Sequence, residues 1–195
     1  MKWDQLKFIF DETQPDVVGF SKHTRVISRM KRENQPQEIF GRWQPRTVCH
    51  FSWLKNKTNT TKYETGGTGI VTMGKGSMHT IGYGEDEQGM DRWNWITIQG
   101  KHDKITTIIS IYRPGKSQMT LDKQQAHTSK KRPNVAKCKG PQELLDEELM
   151  ALIKLFQTKG HENIVVGNWN DNLNDDTGKV QGIMGRIGLK EILIS

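Results

Sequence analysis

The apolar positions fall into short runs separated by polar stretches, and each run carries its own period. From Trp3 to Thr13 the residues Trp3, Leu6, Phe8, Ile9 and Phe10 follow helical spacing, and Gln14-Pro15 ends the pattern. Asp16 to Phe20 is a compact apolar run that predicts a buried strand. Lys22 to Arg46 is basic and predicts irregular structure; it gives way to a strand-like Thr47 to Trp53. Asn56 to Glu64 predicts a polar loop, and Gly66 to Met73 a glycine-led strand. Trp93 to Ile98 and Lys104 to Tyr112 are β-rich and joined by Gly100-Lys101-His102-Asp103, which predicts a hairpin.

Further on, Lys116 to Gly140 is lysine-rich and predicts a basic loop without a core of its own. The segment from Pro141, with Leu144, Leu145, Leu149, Leu152, Ile153, Leu155 and Phe156, is the strongest amphipathic helix, with Pro141 at its entry and Gly160 as its stop. Asn163 to Gly167 predicts a short strand, and Val180 to Ile194 a final helix around Ile183, Met184, Ile187 and Leu189 with an apolar tail. This order predicts an α+β fold, a mixed and mostly antiparallel sheet with flanking helices. A length of 195 residues is the size of one domain, 1–195.

Charge narrows the partners. Lys and Arg outnumber Asp and Glu by 29 to 22, a net +7, so the field attracts polyanions and makes nucleic acid, DNA or RNA, the first partner to expect. A merely soluble basic protein has the same balance. The two cysteines, Cys49 and Cys138, lack the close spacing of a zinc or redox motif. The first residues form no apolar signal stretch and no run approaches a membrane span, so the expectation is an intracellular protein, nuclear or cytoplasmic, with no membrane partner.

Four segments carry candidate chemistry. In Ile164-Val165-Val166-Gly167-Asn168-Trp169-Asn170-Asp171-Asn172 a strand ends in a glycine and a burst of amides, a pattern that also suits an Asn-rich turn capping a strand. Ile109-Ser110-Ile111-Tyr112-Arg113-Pro114 ends a strand in a phenol and a guanidinium, which suits either phosphate contact or a half-buried aromatic. Pro15-Asp16-Val17-Val18-Gly19-Phe20-Ser21-Lys22 and Gly66-Gly67-Thr68-Gly69-Ile70 complete the set; the glycine spacing in the latter fits neither a P-loop nor a dinucleotide fingerprint.

In their order and separations these segments resemble those of the endonuclease/exonuclease/phosphatase superfamily, the deoxyribonuclease-like and abasic-site endonucleases, from Pro15 to Asn172. The resemblance implies about half to two-thirds of a four-layer αββα sandwich, lacking the first strand and the C-terminal strands. It implies a Mg²⁺-dependent phosphodiesterase ancestry, with Tyr112, Asn168 and Asn170 at catalytic positions. Arg113, Lys116 and Asn172 are then candidate substrate contacts, and Lys22 and Asn168 stand at metal-binding positions.

This chain departs from the family at those positions. Lys22 stands where the family has its metal-binding glutamate, Asn168 where it has aspartate, and no Ser-Asp-His triplet is present. Magnesium is held by oxygen ligands, usually one or two carboxylates, so an ammonium at position 22 repels it. Each lost electrostatic contact costs roughly 3–4 kcal/mol in the transition state, or ~10²–10³ in rate. The expectation is a degenerate nuclease-like domain, retroelement-derived, that binds nucleic acid with little or no cleavage and no bound Mg²⁺. Two alternatives stay open: a genuine Mg²⁺-dependent endonuclease, inactivated or truncated or completed by another chain, and a non-catalytic structural or interaction protein.

Overall fold

The computed structural model describes residues 3–23, 27–52, 67–115, 118–171 and 179–190. The described chain is α+β, with two mostly antiparallel sheets plus helices, as a partial nuclease-type sandwich requires. It divides into two compact units: residues 1–112 with 162–168, and residues 113–161 with 169–195.

The first unit holds both sheets. Helix α1 (Trp3–Thr13) ends where Gln14 turns left-handed at φ 46° and Pro15 forbids another turn. Strand β1 (Val17–Ser21) follows. Helix α2 (Pro36–Trp43) lies inside the stretch expected to be irregular. Its Ile39 and Phe40 are buried, but the charged residues around them dilute the apolar period, which is why the pattern did not predict it. Strands β2 (Val48–Phe51) and β3 (Thr68–Thr72) complete a sheet of order β1-β3-β2, antiparallel throughout.

All five residues of the central strand β3 are buried because both of its faces are covered. On one face Val71 and Met73 pack with Phe10 and Phe40, whose rings stack 5.3 Å apart, and Trp43 stands edge-on to Phe40 at 5.0 Å. By alternation Thr68, Ile70 and Thr72 face the second sheet.

That sheet comprises β4 (Thr80–Glu85), β5 (Trp93–Gln99), β6 (Ile105–Tyr112) and β7 (Glu162–Asn168), in that order. A short helix α3 (Gly74–Met78) precedes β4. Strands β5 and β6 form the expected hairpin, Trp93 opposite Ile111, and β7 joins β6 in parallel. Strand β4 was not apparent in the sequence because Gly82 and Gly84 interrupt its β-rich pattern; a Cβ on Gly84 would lie 2.6 Å from the Trp95 ring, so the strand pairs here only as glycine.

The two sheets meet where β1 crosses β6 and β7. A Cβ on Gly19 would stand 2.5 Å from Val166 Cγ2, and one residue along, Ser110 Oγ donates to the Phe20 carbonyl at 2.8 Å.

The second unit is helical: α4 (Gln118–Lys131), α5 (Pro133–Ala136), α6 (Pro141–Thr158) and α7 (Lys179–Ile187). The basic segment 116–140, expected as a loop, is thus largely helix over its described residues. Its pattern misleads because α4 buries polar residues one turn apart, Gln124 and Thr128, with Thr128 Oγ1 donating to the Gln124 carbonyl. Arg132 Nη1 pairs with Glu148 Oε1 at 2.9 Å, holding this segment to α6. Helix α6 buries Leu144, Leu145, Leu149, Ile153 and Phe156, and α7 buries Val180, Ile183 and Ile187; Gln157 Nε2 donates to the Ile187 carbonyl between them. Among the described residues no helix is long and apolar enough to cross a membrane.

Replacing Gly19 with Ala inserts a methyl where β-branched Val166 cannot yield, and is expected to cost about 1–3 kcal/mol. Adding Val166→Ala should recover most of that loss. Chemical denaturation of the two single variants and the double variant measures the coupling; simple additivity rules out the proposed steric contact.

Candidate functional site at the strand ends

Strand register brings three of the family-matched positions to one end of the first unit. Tyr112 and Asn168 are the last residues of β6 and β7 and stand opposite each other in the parallel ladder. They share the face that Ser110 and Val166 turn toward β1. Lys22 follows the last residue of β1, exposed and left-handed at φ 58°. Gly167 is required beside them: at φ +136° its backbone lies so close to β6 that a Cβ would meet the Ile111 carbonyl oxygen at 2.1 Å.

Beneath this end lies a buried polar cluster that sequence reasoning missed. Asp91, left-handed at φ 61° just before β5, uses Oδ1 to accept from Ser52 Oγ and, at 3.2 Å, from the Thr68 amide. Ser52 Oγ also lies 2.7 Å from Thr68 Oγ1. His23 Nε2 is 2.9 Å from the Ser52 carbonyl, and the His23 amide donates to the Gly67 carbonyl. Gly67 has φ +96°, and a Cβ there would lie 2.4 Å from the imidazole.

Serine, histidine and aspartate are the residue types of an acyl-transfer triad, yet the connectivity differs. Here Nε2 of the imidazole meets the serine's backbone carbonyl, and the serine hydroxyl donates directly to the Asp91 carboxylate. Burial lowers the His23 pKa, against the opposing effect of hydrogen bonds to the backbone of Ser52 and Thr68. The cluster therefore anchors the ends of β2 and β3 to the loop before β5. Next to it, Arg92 and Asp86 form a fully buried pair, Nε to Oδ2 2.7 Å and Nη2 to Oδ1 3.1 Å, and the Arg92 carbonyl accepts the Tyr112 amide at 2.7 Å. An acid six residues before an arginine, both beside an apolar run, was the available signal.

Arg113 and Asn170 belong to the second unit. Arg113 is 2% exposed, and its fork grips Asp146, Nε to Oδ1 2.9 Å and Nη2 to Oδ2 3.0 Å. The bidentate face, expected to meet phosphate, meets an internal carboxylate here. Burial alone would lower the Arg113 pKa, but the Asp146 hydrogen bond and the charges of Asp146 and Asp171 raise it. Asn170, at φ 47°, donates Nδ2 to the Arg113 carbonyl, and Asp171 Oδ2 accepts the Val180 amide at the start of α7. Lys116 and Asn172 lie outside the described residues.

The residues at the strand ends do not fit magnesium. Lys22 offers an ammonium, Tyr112 a phenol and Asn168 an amide, and among the described residues no three His, Cys, Asp or Glu side chains group as a metal site.

The sequence matches no family model and no curated protein. Among solved structures the chain is similar to the human Nocturnin catalytic domain with bound sulfate anion, a protein of the endonuclease/exonuclease/phosphatase fold. The TM-score is 0.53 at 10% identity, covering 90% of this chain and 59% of that one. At that identity the likeness shows a nuclease-like fold. The chain spans about three-fifths of the length of that domain.

Two outcomes follow. Because the folded His23 pKa lies below the ordinary 6.5, the unfolded chain binds the proton more readily. Stability from this residue is complete above pH 6.5 and falls as pH drops through the folded value; His23→Gln should flatten that slope in denaturation midpoints measured from pH 7.5 to 5 (about 6.5 being the ordinary histidine value), and an unchanged slope excludes His23 as the source. Arg113→Ala leaves Asp146 buried and unpaired, an expected loss of about 3–5 kcal/mol by chemical denaturation. Native stability with weakened phosphate binding would return Arg113 to a substrate role.

Proposed function

We propose that this chain is a degenerate nuclease-fold domain, descended from a retroelement-like endonuclease, that binds the nucleic-acid backbone at the strand ends and cleaves it little or not at all. The observation that carries the reading is the exposed Lys22 at the end of β1, on the end of the sandwich where Tyr112 and Asn168 sit opposite each other. Both Lys22 and Asn168 shift the family's acidic positions toward positive charge, which suits a phosphate and disfavours a divalent cation. The ammonium takes the place of the metal as the phosphate's counter-charge, with Tyr112 and Asn168 as hydrogen-bonding partners. The net charge of +7 supplies long-range attraction, and two free thiols accord with a nuclear or cytoplasmic protein.

A backbone contact has a salt signature: log affinity for duplex DNA falls with log salt at roughly 0.9 per neutralised phosphate. Lys22→Glu is expected to weaken binding at low salt and to reduce that slope by about one contact. Titrations of a labelled duplex at several salt concentrations read both quantities, and an affinity equal to that of the wild type overturns the role of Lys22. In parallel, supercoiled plasmid incubated with the wild-type chain and Mg²⁺ should stay intact; nicking by the unaltered protein defeats the non-cleaving reading.

A further inference from the structure

Strands β2 and β4 are each the outermost strand of their sheets, and a cleft of about 320 Å³ lies along them in the first unit. It is lined by Cys49, His50 and Phe51 of β2, Tyr83 and Glu85 of β4, and Asn94 of β5. Its walls are aromatic. The His50 and Tyr83 rings stack with centroids 4.2 Å apart, and Tyr83 is 67% exposed, so most of that phenol is open to a further ring. Burial pushes the Cys49 thiol up to about 12, making it a neutral wall and not a nucleophile.

Two polar atoms here are buried and have no hydrogen-bond partner among the described residues: His50 Nε2 and Asn94 Oδ1. Asn94 is 1% exposed, and its other amide atom, Nδ2, donates to the His50 carbonyl at 2.7 Å. That bond fixes the amide's orientation and leaves Oδ1 as an acceptor. Burial lowers the His50 pKa, so the neutral ring offers one N–H or one lone pair. Buried polar groups are nearly always satisfied, so these two atoms in one aromatic cleft call for a partner from outside the described residues.

We propose that this cleft is a subsite for one unstacked nucleobase. A base edge sets an N–H donor beside a ring acceptor, which answers Asn94 Oδ1 and His50 Nε2–H together, while Tyr83 takes the base's face. Bases freed from a duplex are recognised in this way, by stacking on aromatic side chains and hydrogen bonds to the base edge. The volume suits a base with its sugar. The inference extends the nucleic-acid reading above, but its chemistry is separate: Lys22 answers phosphate, and this cleft answers the base.

Adenosine, which carries no phosphate, tests the cleft alone. Titration by calorimetry or NMR is expected to show saturable binding, weakened about tenfold by Tyr83→Ala, the size of one lost stacking contact. His50→Phe, which keeps a ring but loses Nε2, should weaken it too, and Lys22→Glu should leave it unchanged. Adenosine doubly methylated on its amino group, with no hydrogen for Asn94, should bind more weakly. A single-stranded oligonucleotide compared with an abasic strand of equal charge then separates the sources of the base. A Tyr83-dependent preference for the strand with bases identifies a strand-borne base, and its absence alongside adenosine binding identifies a free nucleoside or nucleotide. No adenosine binding, or binding indifferent to Tyr83→Ala and to the amino methyl groups, overturns the subsite while leaving the Lys22 contact to stand on its own salt dependence.

Discussion

The buried carboxylate of Asp91 is the constraint on which the strand-end geometry rests. Strands of two different sheets have no ladder to hold their ends level, so something polar must cross between them. Asp91 does so from the loop before β5, accepting from Ser52 at the end of β2 and from Thr68 at the start of β3. A charge in that position is costly unless its lone pairs are used, and the left-handed backbone at residue 91 aims the carboxylate where they are. His23 and the Asp86–Arg92 pair extend the same tie, one to the segment after β1 and the other to the amide of Tyr112.

Small residues do the complementary work. Gly19 lets β1 approach Val166, and Gly167 lets β7 lie against the Ile111 carbonyl. The polar cluster sets the height of the strand ends and the glycines set their separation. Lys22, Tyr112 and Asn168 gather at one end as a result of both, though each lies at the end of a different strand.

Nucleic-acid recognition needs two kinds of contact. Phosphate attraction is electrostatic and carries no sequence information, whereas a base is read by stacking and by hydrogen bonds to its edge. Under the reading proposed above, the first falls to a lysine at the strand ends and the second to an aromatic cleft along two outer strands. Arg113, which composition favours as a phosphate fork, instead secures α6 through Asp146. A forked guanidinium recognises any carboxylate placed to meet it, so its presence after a strand does not reveal its partner.

Local pattern determined most of the elements by itself. Helix α1, the β5–β6 hairpin, α6 and β7 were legible because their apolar residues recur at the period of the structure they form and are bounded by Pro or Gly. The identities of Lys22, Tyr112 and Asn168 as strand-end residues were legible for the same reason. Helix α4, which buries Gln124 and Thr128, and strand β4, broken by glycines that fit beneath Trp95, were not, since their stability comes from partners far along the chain. Only tertiary structure decided that Asp91 ties Ser52 to Thr68, that Arg113 faces Asp146, and that His50 and Asn94 share one cleft. Hydrophobic periodicity is a property of neighbours in sequence, whereas a hydrogen bond between residues dozens of positions apart exists only once packing has brought its donor and acceptor together.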